Sequence, residues 1–130
     1  MKVLIAEDEP LLRRLLIDKF SRNDCTVISA ENGLDAIERF DNVQPDVVIT
    51  DLNMPYAGGQ ELILHIRESK LSDTPILVLS GTSNEHTIND VFRLGANDFV
   101  EKPFRMKELL LRAQRRSEEH TSELQSRQVI

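Results

Sequence analysis

The chain has one cysteine, Cys25, and therefore no internal disulfide, which suits a reducing cytosol. No apolar run approaches the roughly 18 residues that a spanning helix needs, so no membrane segment is expected. Met1 leads straight into "KVLIAED" with no apolar h-region or cleavage site, so no signal peptide is expected either. Basic residues are the minority, 16 Lys and Arg against 22 Asp and Glu, for a formal net charge of −6. That balance argues against direct binding of nucleic acid or anionic lipid. The three histidines, His65, His86 and His120, show no metal-ligand spacing. Together these features lead us to expect a cytoplasmic protein of one domain, since 130 residues build one sizeable core.

The last fifteen residues have a different character. "RSEEHTSELQS", Arg116 to Ser126, resembles the conceptual translation of a common short-read sequencing adapter over eleven consecutive residues. The expected domain is therefore 1–115, with 116–130 a tail outside the fold. Without the tail there remain 14 basic and 19 acidic residues, a net of −5, so the charge reading stands.

Before residue 116, short apolar runs alternate with amphipathic ones. "KVLIA" (2–6), "TVISA" (26–30), "DVVIT" (46–50), "PILVLS" (75–80) and "DFV" (98–100) read as strands, the first covered on both faces, the third strongly β-branched and the fourth buried. Between them lie helical patterns at 10–20, 33–40, 59–69, 84–95 and 105–116. Leu11, Leu12, Leu15 and Leu16 form a stripe on the first helix. Leu34, Ala36, Ile37 and Phe40 fall near one face of the second, and Gly95 closes the fourth. Five βα units imply an α/β fold, a doubly wound parallel sheet with helices on both faces. Right-handed crossovers favour the flavodoxin-like strand order 2-1-3-4-5.

In such a sheet, ligands bind beyond the carboxyl ends of the strands, near the reversal of strand order. Glu7 and Asp8 follow the first strand and Asp51 the third. Ser80 ends the fourth, and Lys102-Pro103 follows the fifth. Three acids, a hydroxyl and a lysine should thus meet at one edge. Crowded carboxylates repel and their pKa values rise unless a cation compensates them. A hard ion such as Mg2+, which takes oxygen ligands, answers that need. One carboxylate can then act as a nucleophile toward phosphorus, with lysine and hydroxyl stabilising the transferred oxygens. Each residue also has a plainer reading: Asp8 as the cap of the helix that begins near Pro10, the others as loop or strand-end residues. In "VVITDLNMP" the strand delivers Asp51 to the edge, and Met54-Pro55 turns the chain away, which should leave the carboxylate accessible.

At these residues the chain, from residue 2 to about 115, resembles the receiver domain of bacterial two-component response regulators. "VLIAEDEP" is similar to the family's acidic pair, and "VVITDLNMPYAGGQEL" to its phosphoacceptor motif. "ILVLSG" resembles the strand that ends in the switch hydroxyl, and "GANDFVEKPF" the closing motif. The resemblance implies that Asp51 accepts a phosphoryl group from a histidine kinase or phosphotransfer protein. It implies Mg2+ held by Asp8, Asp51 and the main-chain carbonyl of Asn53, with Glu7 acting through a water. Ser80, Phe99 and Lys102 would be the switch and phosphate-binding residues, and the bond before Pro103 would be cis. The face made by the fourth helix, fifth strand and fifth helix would then regulate an output partner or form a homodimer. Such a domain is not an enzyme beyond its own phosphorylation and slow dephosphorylation.

Glu7 stands where the family more often has aspartate. Ala57 and Gly58 replace a frequent methionine and aspartate, and Gly81 a frequent alanine. None of these changes removes a group the chemistry requires. A flavodoxin-type cofactor site would want a phosphate-cradling first loop, and "AEDEP" repels phosphate unless a metal intervenes. A haloacid-dehalogenase-type hydrolase would want an acid where Asn53 stands. The remaining rival is a degenerate, non-phosphorylated interaction module. Such modules usually lose the acceptor, an acid or the lysine, all present here.

Overall fold

The computed structural model describes residues 1–71, 73–82 and 84–128. Five strands alternate with five helices: β1 (Lys2–Ala6), α1 (Pro10–Ser21), β2 (Thr26–Ala30), α2 (Gly33–Val43), β3 (Val47–Asp51), α3 (Gly59–Glu68), β4 (Ile76–Ser80), α4 (Glu85–Leu94), β5 (Asp98–Glu101) and α5 (Met106–Gln128). The sheet is parallel throughout, in the order β2-β1-β3-β4-β5, the flavodoxin-like arrangement expected.

Side chains alternate across the strands and so feed two cores. Val3, Ile5, Val47, Ile49, Leu77 and Leu79 meet Leu16 and Phe20 of α1 and Leu109, Leu110 and Ala113 of α5. On the opposite face Leu4, Ala6, Val48 and Val78 meet Ala36 and Phe40 of α2, Leu62, Ile63 and Ile66 of α3, and Val91 of α4. The central strands β3 and β4 are buried at every position, which is why their sequences read as unbroken apolar runs.

Register makes the carboxyl edge level. Ala6 pairs with Thr50, Asp51 with Leu79, and Ser80 with Glu101. Two sequence expectations shift here. Asp51 is the last residue of β3 rather than the first beyond it, and Pro75 lies outside β4. The stripe on α1 also divides. Leu16 and Phe20, four apart, are buried, whereas Leu11 and Leu15 are exposed and border a groove with Pro103, Phe104 and Met106. Leu34 is 57% exposed, because Ala36 and Phe40 already supply the inward face of α2. The last helix outruns its expected end at 116. No glycine or proline follows Pro103, so nothing in the chemistry of the chain stops α5 before Gln128. Arg116 forks onto Asp98 at 2.8 and 3.1 Å. Residues 129 and 130 of the expected tail lie outside the described residues.

The opposite, amino edge is stapled by Arg67 on α3. Its guanidinium donates to Gly95 O at 3.0 and 2.7 Å, to Thr74 O at 2.7 Å and to Asn97 Oδ1 at 2.9 Å. Gly95 sits at φ 122°, where a Cβ would fall 2.7 Å from Arg67 Nε, so backbone freedom and close approach both require glycine there. Replacing Arg67 by Met would strand several half-buried acceptors. Urea unfolding of Arg67→Met should show a loss of about 2–4 kcal/mol, against well under 1 for an exposed control substitution.

Candidate functional site

Three acidic residues converge at the carboxyl ends of the neighbouring strands β1 and β3, where the strand order reverses. Carboxylate oxygens of Glu7, Asp8 and Asp51 all lie within 4.8 Å of one another. Glu7 is fully buried and Asp51 is 6% exposed, while Asp8 is open to solvent. The expected accessible Asp51 is therefore a recessed one. Its residue belongs to a strand covered on both faces, and one carboxylate oxygen, Oδ1, is taken up by Lys102 Nζ at 3.1 Å. The same ammonium lies 2.9 Å from Glu7 Oε1, so Lys102 bridges two of the three acids.

The electrostatics follow from burial and crowding. Burial pushes the Asp51 carboxyl from its usual 3.8 up to about 6, Glu7 adds to the rise, and Lys102 opposes it. For Lys102, burial alone would weaken the charged form, but the hydrogen bond to Glu7 and the charge of Asp51 overcome it and raise the pKa. The ammonium is therefore a fixed positive charge at neutral pH.

The remaining predicted residues surround this centre. Ser80 is fully buried, and its Oγ accepts from the Thr82 amide at 3.2 Å. Its carbonyl accepts from the Lys102 amide at 2.7 Å, which ties the β4 end to the lysine. The Lys102–Pro103 bond is cis. Phe99 pairs with Val78 in the sheet and is half-buried against the core under α2, α3 and α4. Asn53, beyond the end of β3, lines an open cleft of about 570 Å3 together with Asp8, Met54, Gly58, Gln60 and Thr87.

The structure also supplies what the sequence reading missed. Glu9, and not Asp8, caps α1: its carboxylate accepts from the amides of Leu11 and Leu12 at 3.1 and 2.7 Å. That frees Asp8 from the plainer role. Arg13 donates to the Glu7 carbonyl at 2.9 Å, holding the acidic turn from behind. Tyr56 sits at φ 70° in a tight turn closed by Ala57 N to Pro55 O at 2.8 Å. No residue-type signal marks it, since glycine or asparagine is the usual occupant of that region.

A hard cation fits this donor set. All three acids offer oxygen, one is solvent-facing, and the cleft beside Asp8 leaves room for further oxygen ligands.

A buried acid and a bridging lysine at the carboxyl edge of a flavodoxin-like sheet describe the site, and comparison with known proteins gives the family. Residues 3–114 match the response regulator receiver domain, and the chain belongs to that family. It is similar to the Regulator of RpoS of Escherichia coli K12, at 40% identity over 102 residues, covering 78% of this chain and 30% of that protein. It is 32% identical over 111 residues to the chemotaxis protein CheY of Listeria monocytogenes, covering 85% of this chain and 92% of that one. The solved receiver domain of Francisella response regulator 1452 superposes with a TM-score of 0.86 at 27% identity, covering 92% and 98% of the two chains. The chain thus spans under a third of the first relative and nearly all of the second.

Two measurements test the site's energetics. With a folded pKa near 6 against 3.8, Asp51 favours the folded chain when protonated. That contribution is whole below about pH 4 and is lost as the pH rises through 6. Asp51→Asn, which mimics the protonated form, should therefore gain about 1–3 kcal/mol over the parent in metal-free buffer at pH 7.5, and nothing at pH 4. Calorimetric melting at the two pH values checks it; an equal gain at both would contradict the assignment. Separately, Tyr56→Asn should stabilise by about 0.5–1 kcal/mol, because the side chain it removes is 81% exposed and only the backbone penalty changes.

Proposed function

We propose that the domain is a working phosphoacceptor: Asp51 takes a phosphoryl group from a histidine kinase or phosphotransfer protein, with Mg2+ at the acidic pocket. The observation that carries this reading is the bridging of Glu7 and Asp51 by Lys102, beside the buried hydroxyl of Ser80. In the transfer, an Asp51 carboxylate oxygen attacks phosphorus, the bond from phosphorus to the donor's imidazole nitrogen breaks, and the nitrogen keeps the electron pair. Asp8, Asp51 and the Asn53 carbonyl would hold Mg2+, with Glu7 acting through a water. The bound ion supplies positive charge against the phosphoryl oxygens. Lys102, already charged and aimed at Asp51, does the same from the other side.

Ser80 Oγ accepts from the Thr82 amide, and the new oxygens then offer an acceptor for the hydroxyl's own proton. Movement of Ser80 makes room for Phe99 to turn inward, and the α4–β5–α5 face changes state. That face exposes Phe92 and Leu111, apolar area suited to an output partner or a second copy of the chain. We also propose that the functional unit ends near Arg115, since the family match stops at residue 114 and the adapter-like stretch begins at Arg116.

Intact mass measurement of the full chain incubated with acetyl phosphate tests the central claim. A gain of one phosphoryl group is expected with Mg2+, and none in its absence or in Asp51→Ala. A version ending at Arg115 should behave as the full chain does. No gain in folded protein under any condition would favour a non-phosphorylated interaction module.

A further inference from the structure

We propose that Gly33, at the start of α2, is a positioning residue for the cation: by lacking a side chain it lets Ala57 seat against the helix, which fixes where the Asn53 carbonyl stands. This rests on the assignment of Asn53 to Mg2+ above.

The loop from Leu52 to Gly58 is a closed excursion. At its base Leu52 N donates to Leu79 O at 3.0 Å and Gly59 N to Leu52 O at 2.9 Å. The base tolerates no bulk, since a Cβ on Gly59 would lie 2.5 Å from Asp51 O. The outer limb is held through Ala57, which is only 3% exposed. Its seat is Gly33, where a Cβ would stand 1.9 Å from Ala57 O and 2.7 Å from Ala57 Cβ. Contacts that short to backbone cannot be relieved by a rotamer change, so one of the two elements must move.

The loop is the one to yield. Gly33 follows the N-cap Asn32, whose side chain accepts from Asp35 N at 2.8 Å and whose carbonyl accepts from Ala36 N at 3.0 Å. Ahead of that cap, β2 is paired to β1 through Ala30. The loop is anchored at its base and by Leu52 and Met54 against the core, but its outer limb has the tight turn at Tyr56, already in the left-handed region. Asp51 stays in the β3–β4 ladder. A displaced Ala57 therefore shifts the loop that carries Asn53 and leaves the carboxylates in place, weakening one ligand and not the others.

The test is Mg2+ titration of the full chain by calorimetry, with Tyr56 fluorescence as reporter. Tyr56 is the only tyrosine and there is no tryptophan, so the emission comes from this loop. Gly33→Ala should weaken Mg2+ roughly tenfold, the scale of losing support behind a ligand, and alter Tyr56 emission. Leu16→Ala, in the opposite core, should lower Tm yet leave the Mg2+ affinity within about twofold of the parent. A folded Gly33→Ala that binds Mg2+ as the parent does, or no more weakly than Leu16→Ala, overturns the proposal. Should Gly33→Ala not fold, Ala57→Gly decides, because it removes the seated methyl without adding atoms. Weaker Mg2+ binding supports the proposal and unchanged binding overturns it. A parent protein that binds no Mg2+ at all defeats the phosphoacceptor reading itself, a different result from parent and variant binding alike.

Discussion

Everything at the carboxyl edge depends on one ammonium shared between two buried acids. Glu7 and Asp51 lie too close to remain ionised together in a covered site without compensation. Lys102 supplies it, and it comes from 95 residues away in the chain. The lysine reaches the acids only when β5 has paired with β4 and its own amide has found Ser80 O. The site is therefore a property of the finished sheet. Compensation is also incomplete: burial first, and then the charge of Glu7, keep the Asp51 pKa raised in spite of the ammonium. Stability is given up at this edge to keep a recessed acid beside a fixed positive charge.

The two edges of the sheet are built for different work. At the amino edge Arg67 ties α3 to the residues before β4 and to the end of α4 through hydrogen bonds to Thr74, Gly95 and Asn97. At the carboxyl edge the connections are light. Gly81 has open space where a Cβ would be, and among the described residues Ser80 Oγ makes one long bond, to an amide. A helix held firmly at its far end and more lightly at its near end can tilt without losing its core contact at Val91. That is the mechanical condition a switching α4 needs.

Much of this was legible in the sequence because strand ends are set by burial. Asp51 and Ser80 each close an apolar run that fixes its place in the sheet, Lys102 follows the short strand β5, and strand order then brings them together. The adjacent acids were harder. Glu9 against Asp8 as the cap of α1 is a matter of one residue of helical phase, which composition does not resolve. Leu11, Leu15 and Leu34 fit helical stripes but remain exposed, since a stripe says only that a face is apolar and not what covers it. Gly33 and Tyr56 were invisible for a deeper reason. The requirement for glycine at 33 comes from Ala57, a contact between segments distant in sequence. The left-handed backbone at Tyr56 is imposed by loop closure against the local preference of the residue.

The charge count constrains how such a site can signal. Glu7, Asp8, Asp51 and Lys102 together carry a formal −2, which one divalent cation would neutralise. Converting the Asp51 carboxylate to an acyl phosphate then adds about one negative charge. The site's net charge thus changes by no more than the cation already offsets, so a long-range field is a poor carrier of the signal. On the proposed phosphorylation the position of acceptors would change sharply: several phosphoryl oxygens would stand beyond Asp51 in place of one recessed carboxylate. Ser80, with a single weak partner, and Lys102, already aligned, are the groups able to respond to that change. A switch read through hydrogen-bond geometry needs its acceptors placed to a fraction of an ångström. That need is what gives the packing of Ala57 on Gly33 its consequence for a cation held several residues away.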